Sequence, residues 1–318
     1  MTALTTSIEI DPAPPAAEPG LVKRALRTPR VVVGGAILLL IAFLCVATLP
    51  ITLDQNSPWH YDAQHVDRAE LSPTLSHMEL AFGSDKLGRP LLARCLMGGT
   101  ISLAVGLSAA TLSVLLGVTV GLVAGFRGGW IDHTLMRIVD VLYSLPYVLL
   151  IILFKLALEE PLRAVLSRNA ANFVVMFLAI GLVSWLTMAR VIRGQVLALR
   201  AQPFIEAARA LGLTERHIFL KHLLPNLIGP IIVYGTLTVP QAILQESFLS
   251  FLGLGLDPLP SWGALASENR IAALNLIDPK WWLLLFPCLL LMVTLLSLNF
   301  LGDGLRDLLD PKRDAAKL

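Results

Sequence analysis

The stretch Glu206-Ala207-Ala208-Arg209-Ala210-Leu211-Gly212-Leu213-Thr214-Glu215-Arg216-His217-Ile218-Phe219-Leu220-Lys221-His222-Leu223-Leu224-Pro225-Asn226 is a polar, basic interruption between long apolar segments. Its pattern predicts two short helices joined by a bend. Gly212 can adopt the left-handed conformation that ends a first helix, Thr214 is suited to cap the start of a second, and Glu215 falls in that helix's first turn. Lys221 and His222 then occupy its last turn. Pro225 is expected to stop it, because proline has no N–H to continue the ladder. In a chain that is otherwise soluble mainly in lipid, a compact helical elbow facing water suits a docking surface; an ordinary solvated loop is the plainer alternative.

The rest of the chain is strongly apolar. Hydrophobic residues make up 55% of the sequence, charged residues only 15%, and the mean hydropathy is +0.72, far from the profile of a soluble domain. An all-α polytopic membrane protein is predicted, with six transmembrane helices over Val31 to Leu49, Thr100 to Phe126, Ile138 to Leu158, Phe173 to Ala189, Leu227 to Leu249 and Trp281 to Leu301. Lys and Arg concentrate on the cytoplasmic side of membrane proteins. With the N-terminus inside, the inside segments hold the Lys23 to Arg30 cluster, Arg127 and Arg137, the group from Arg190 to Lys221 and the group from Arg306 to Lys317, which is the majority of the 25 basic residues. Both termini and the Glu206 elbow are therefore expected in the cytoplasm. A net charge of +2 calls for no nucleic-acid partner.

Residues 1–30 read as a disordered and then basic cytoplasmic tail, with Pro12, Pro14, Pro15 and Pro19 and little that could build a core. Residues 31–99 form the first span and an outside segment, 100–302 a core of five spans carrying the elbow at 200–226, and 303–318 a cytoplasmic C-terminal tail. The basic cluster and apolar run imitate a secretory signal, but the run is longer than a signal core and is read as an uncleaved span. His60, His65 and His77 lie among carboxylates in the outside segment at spacings that match no compact metal motif. Cys45, Cys95 and Cys288 are scattered and odd in number, so neither a disulfide framework nor a thiolate site is indicated.

Glu206-Ala207-Ala208, with Gly212 six residues after the Glu, Ile218 and Leu224-Pro225, resembles the EAA motif of ABC importer permeases. The segment Phe82-Gly83-Ser84-Asp85-Lys86-Leu87-Gly88-Arg89 is similar to the Gly-Thr-Asp-x-x-Gly-Arg-Asp signature of the dipeptide, oligopeptide and nickel subfamily, with Ser84 in place of Thr and Pro90 in place of the final Asp. Phe251-Leu252-Gly253-Leu254-Gly255, Ser261-Trp262-Gly263 and the closing run from Asn299 to Pro311 carry the same resemblance, which extends from about Leu21 to Pro311.

The resemblance implies a type I ABC importer permease fold in the plasma (inner) membrane of a bacterium or archaeon, surrounded by lipid. It also implies a homologous second permease subunit, two cytoplasmic ABC ATPase subunits and an extracytoplasmic solute-binding protein as partners. ATP would be used by those partner subunits, with no cofactor, metal or catalytic residue in this chain. The coupling residues carried over are Glu206, Ala207, Ala208, Gly212, Ile218, Leu224 and Pro225: the small Ala207 and Ala208 for close approach, Glu206 for a polar contact, Gly212 for the bend.

Several other features carry expectations of their own. Gly117, Gly121 and Gly125 fall on one helix face and should admit a neighbouring helix. Asp140 is expected to pair locally with Arg137 three residues away, with a role in gating as the alternative. Pro230 and Pro240 inside the fifth span suggest kinks. Gln241 and Gln245 share a helix face and, with Glu246 and Ser247 following, form a polar stripe that suits either an aqueous translocation path or hydrogen bonding between subunits. The apolar but Gly- and Pro-rich segment from Phe251 to Gly263 reads as a re-entrant or interfacial loop, or as a surface for a partner protein, with Trp262 as an interface anchor.

No Gly-x-x-x-x-Gly-Lys-Ser/Thr stretch occurs, so the chain has no P-loop of its own, and neither His-Glu-x-x-His nor Gly-x-Ser-x-Gly supports an intramembrane enzyme. The reading is a permease subunit of an ATP-driven importer for di- or oligopeptides. Import of nickel or another small solute by the same class of transporter is the runner-up, and a passive membrane channel the alternative from another class.

Overall fold

The computed structural model describes residues 24–309; the tail expected before Arg24, and everything after Leu309, lie outside them. The described chain is built from helices: α1 (Pro29–Ala47), α2 (Leu49–Leu53), α3 (Leu91–Arg127), α4 (Gly129–Tyr143), α5 (Tyr147–Arg163), α6 (Arg168–Arg200), α7 (Pro203–Ala210), α8 (Glu215–Ile218), α9 (Leu224–Phe251), α10 (Trp262–Ala273) and α11 (Trp282–Leu309). Among the described residues, five stretches are long and apolar enough to cross a bilayer unbroken: Pro29–Leu53, Leu91–Arg127, Arg168–Arg200, Glu215–Phe251 and Trp282–Leu309.

The sixth candidate span is not the single helix expected over Ile138 to Leu158. It is the pair α4 and α5, bent by 97°. The break falls at Ser144-Leu145-Pro146, where proline disfavours a helical conformation in the residue before it and removes a donor. Ser144 Oγ takes up the Val141 carbonyl at 2.7 Å.

Other boundaries also shift. Residues 91–99, expected in the outside segment, belong to α3, so the division expected between residues 99 and 100 cuts a continuous helix, and α11 runs on to Leu309, past the start expected for the C-terminal tail. Pro230 and Pro240 lie within one helix, α9, and Pro225 falls in the first turn of α9 instead of ending α8. Phe219–Leu223 forms a turn of π-helix between them. A proline is tolerated in the first turn of a helix, where its missing N–H has no partner to lose, and the wider π register carries the chain into it.

Hydrocarbon supplies no hydrophobic drive for helices to associate, so close contact and polar links must hold the bundle. The central seam joins α3 to α6. A Cβ added at Gly117 would sit 2.5 Å from Met188 Cβ, at Gly121 2.6 Å from the Ala189 carbonyl oxygen, and at Gly125 2.8 Å from Val196 Cβ. The three glycines therefore place the two backbones nearly in contact. A second layer packs Ile41 and Cys45 of α1, Leu91 and Cys95 of α3, Trp262 and Leu265 of α10 and Leu283 of α11. Trp262 is only 1% exposed, and its indole N–H donates to the Cys95 carbonyl at 2.9 Å. It is a core residue and not the interface anchor expected, because the loop before it folds back and drives α10 between α3 and α11.

Replacing Gly121 by Val is expected to cost about 1–3 kcal/mol through overpacking of this seam, whereas Gly194→Ala, at a helical glycine with nothing within 4 Å of its added Cβ, should be neutral or gain up to about 1 kcal/mol. Thermal unfolding of the two variants in detergent checks the pair.

Candidate functional site: the elbow, its link to the bundle and a polar cavity

Helix α7 opens with Pro203 and ends at Ala210. Gly212 follows at φ +77°, and two bonds close the turn: Gly212 N–H to the Arg209 carbonyl at 2.9 Å and Leu213 N–H to the Ala208 carbonyl at 3.2 Å. A left-handed glycine with such bonds is how helices commonly end. Thr214 then caps α8, its hydroxyl oxygen accepting from His217 N–H at 3.4 Å. Arg209 and Glu215 pair across the bend at 2.9 Å. That ion pair, six residues apart, becomes apparent only once the bend brings its two arms together.

The elbow has two faces. Ile205, Ala208, Ile218 and Leu223 are buried together against Phe126, Leu199 and Phe219. Glu206, Ala207, Gly212 and Pro225 are exposed, and Leu224 is half-buried. The expected coupling set is thus divided: Ala208, expected to allow a partner close, turns its methyl inward, and Ile218 belongs to the packing that holds the elbow to the bundle. Exposed beside Glu206 and Ala207 are Phe204 and Leu211, the latter 81% accessible, which the motif did not single out. Thr214, Arg216, His217, Leu220 and Lys221 surround a basic hollow of about 390 Å³.

Arginines of α6 lock the elbow end of the bundle. Arg200 donates to the Gly125 and Phe126 carbonyls at 2.8 and 2.9 Å, capping the end of α3. Arg193 holds Asp132 of α4 through two bonds, at 2.5 and 2.7 Å. Arg190 pairs with Asp140 at 2.8 Å and lies 4.0 Å from the centre of the Tyr143 ring. Asp140 therefore takes its partner from α6 and not from Arg137, because the fork of Arg190 reaches it from a facing helix while Arg137 projects to solvent.

On the side of the bundle where α4 bends into α5, Tyr143, Tyr147, Ser184, Thr187, Gln241 and Gln245 converge on a cavity of about 390 Å³. Glu246 is not among its lining residues. Successive residues of a helix point about 100° apart, and Glu246 is wholly buried elsewhere, accepting from Ser250 Oγ at 2.7 Å, Ser102 Oγ at 3.2 Å and Ser247 Oγ at 3.4 Å. It ties α9 to α3 near the start of α10, so the polar stripe expected over Gln241, Gln245 and Glu246 separates into a cavity pair and a structural carboxyl.

At the far end from the elbow, the segment that resembles the subfamily signature forms an ionic cluster. Gly88 turns at φ +73°, and buried Asp85 accepts from Arg89 Nε and Arg94 at 2.7 Å each. Arg89 also reaches Asp62 at 3.0 Å and pairs with Glu268 of α10, which Arg94 bonds at 2.9 Å. Burial by itself would push the Glu268 carboxyl up, but Arg94 and Arg89 outweigh it and hold Glu268 below its ordinary value of 4.5. A depressed carboxyl stabilises the fold fully above its ordinary value and loses that contribution as pH falls through the folded one.

With this geometry in view, the class is a multi-span helical permease. Residues 117–315 match the family described as the inner membrane component of binding-protein-dependent transport systems, and the chain belongs to that family. It is 42% identical over 278 residues to the oligopeptide transport system permease protein OppC of Escherichia coli K12, covering 87% of each chain. To the dipeptide transport system permease protein DppC of Bacillus subtilis it is 39% identical over 290 residues, 91% of this chain and 84% of that one. A glutathione transport system permease protein, GsiD of Pectobacterium atrosepticum, is 37% identical over 292 residues, 91% of this chain and 89% of that one. Among solved structures, an inward-facing form of the MetNI methionine ABC transporter superposes with a TM-score of 0.55 at 19% identity, over 70% of this chain and 98% of that chain, which is a likeness of fold. The chain is an inner-membrane, multi-pass ABC importer permease.

Taking the pH from neutral down past 4.5 should lower the thermal stability of the purified protein, and Glu268→Gln should flatten that acid limb. Arg94→Met, which leaves Asp85 buried with one partner fewer, should cost about 3–5 kcal/mol, measured by the same unfolding assay at neutral pH.

Proposed function

We propose that the chain is the permease subunit of an ATP-driven, binding-protein-dependent importer of di- or oligopeptides. In this reading the exposed face of the elbow docks on a cytoplasmic ATPase subunit. The observation that carries it is the build of the elbow: a water-facing surface of Glu206, Ala207, Phe204 and Leu211 whose underside is packed on the ends of α3 and α6. A surface fixed in that way passes a push to the spanning helices, whereas a free loop would absorb it. Helix-in-groove docking uses such an exposed apolar and small-residue face.

Both termini and the elbow lie on the cytoplasmic side, as the distribution of Lys and Arg favours. The full transporter adds a homologous second permease, two ATPase subunits that bind and hydrolyse ATP, and an extracytoplasmic binding protein. Nucleotide drives transport only by favouring one conformation over the other, so ATP-bound closure of the ATPases must be more compatible with one arrangement of the helices. The Gln241 and Gln245 cavity belongs to the translocation path. Peptide is the cargo favoured by the relatives' names, which include oligopeptide and dipeptide permeases over most of their length.

Purification of the tagged chain from native membranes in mild detergent should bring with it a second permease and P-loop ATPases; repeated recovery of the intact chain alone would overturn the reading. Glu206→Lys and Gly212→Pro, the latter impossible at φ +77°, should leave insertion intact yet cut peptide uptake per ATP hydrolysed by at least about tenfold, the scale of a typical coupling free energy. Uptake and ATP hydrolysis measured together in proteoliposomes check this, and wild-type ratios in both variants would remove the coupling role.

A further inference from the structure

Single buried groups elsewhere in the bundle, the hydroxyls of Ser113 and Thr294 and the Arg94 Nε, lack a partner, but the cavity at the α4–α5 bend gathers six polar side chains whose hydrogen-bonding capacity is almost wholly unspent. Thr111, Thr119, Thr236 and Thr238 each donate to a carbonyl of their own helix, at 2.6 to 2.8 Å. Glu246 is surrounded by serines, and the terminal nitrogens of Arg94 and the guanidinium of Arg89 are paired with carboxylates. In the cavity the one bond among the six polar side chains is a long one, Ser184 Oγ to Gln245 Oε1 at 3.4 Å. The Gln241 amide and the hydroxyls of Thr187, Tyr143 and Tyr147 have no partner among the described residues. Polar groups in a membrane-spanning segment are costly when unpaired and face the bundle interior or a watery cavity.

The lining is also free of charge, with no Asp, Glu, Lys or Arg. The Arg190 guanidinium that stacks on the Tyr143 ring is not among the lining residues and is engaged by Asp140. Each glutamine offers two donors and an acceptor on one planar amide, and each hydroxyl both donates and accepts. This is the complement of a peptide main chain, which presents one N–H and one C=O per residue, and it provides nothing to distinguish a cationic from an anionic side chain. At about 390 Å³ the cavity falls within the range of about 300–1,000 Å³ typical of small-molecule sites.

We propose that this cavity is a peptide-backbone station: Gln241, Gln245, Ser184, Thr187 and the two tyrosines hold the main-chain amides of the cargo during passage and leave its side chains unread. The inference rests on the importer reading above and adds to it a mode of recognition. Selectivity then resides outside this chain, and the membrane path passes peptides of either charge alike.

The test uses the assembled importer with its native partners in proteoliposomes, supplied with trialanine, trilysine and triglutamate. The ratio of wild-type to variant uptake for each peptide cancels the selectivity of the binding protein, which is common to both. Gln241→Leu and Gln245→Leu should each lower uptake of all three peptides by the same factor, about fivefold for one hydrogen bond lost. Gln245→Glu keeps the polarity and size and should create a preference for trilysine over triglutamate that the wild type lacks. Unchanged uptake in the Leu variants, losses that differ between the peptides, or losses that track reduced recovery of the partner subunits would overturn the station while leaving the importer reading standing. A wild-type complex that transports none of the three peptides would overturn both.

Discussion

The contact between α3 and α6 is the constraint from which the rest of the bundle follows. Inside a bilayer, burying a leucine against another helix gains little over leaving it in lipid, so association depends on how closely backbones approach and which polar groups meet. Gly117, Gly121 and Gly125 remove the side chains that would hold the two helices apart, and Met188, Ala189, Ile192 and Val196 fill the groove they leave. Where the seam runs out of the apolar region, Arg193 and Arg200 take over, one holding α4 through Asp132 and the other capping the carbonyls at the end of α3. The elbow continues directly from α6, so its position follows from that seam together with the packing of its own Ile205, Ala208, Ile218 and Leu223 against Phe126 and Leu199.

Two groups of polar side chains in the described residues stand out. The first is engaged and structural: the Asp85, Arg89, Arg94 and Glu268 cluster fastens the segment before α3 to α3 and α10, and the Glu246 serine network joins α9 to α3 beside the start of α10. Removing one member of a buried ionic set strands another charge, which makes such clusters costly to alter. The second is largely unengaged and clusters at the bend between α4 and α5. A discontinuous helix in a membrane is tolerated where it lines a cavity or is covered by protein, and here the bend sets two tyrosines at the edge of the hollow formed by α6 and α9. Function is best sought among the unengaged groups, because engaged ones have no free capacity for a ligand.

Much of this was legible in the residues. Composition and the lengths of the apolar runs determined a polytopic helical protein, the glycine spacing at 117, 121 and 125 indicated a close helix contact, and Gly212 with Thr214 defined the elbow. These signals are complete within a turn or two of helix: a left-handed glycine, a capping hydroxyl or a four-residue repeat acts on its own backbone. The tertiary structure decided which groups meet. Asp140 had a partner in its own helix and took Arg190 instead; Trp262, suited to an interface, was carried into the core by the fold-back before α10; Glu246, next in sequence to Gln245, was turned toward the serines of α3 and α9; and Pro225, a helix stop by local rules, became the first turn of a span once a π turn preceded it. Each depends on the placement of a second element, 50 residues away in the case of Asp140 and Arg190, and a linear sequence specifies that placement only through the summed packing of the whole bundle.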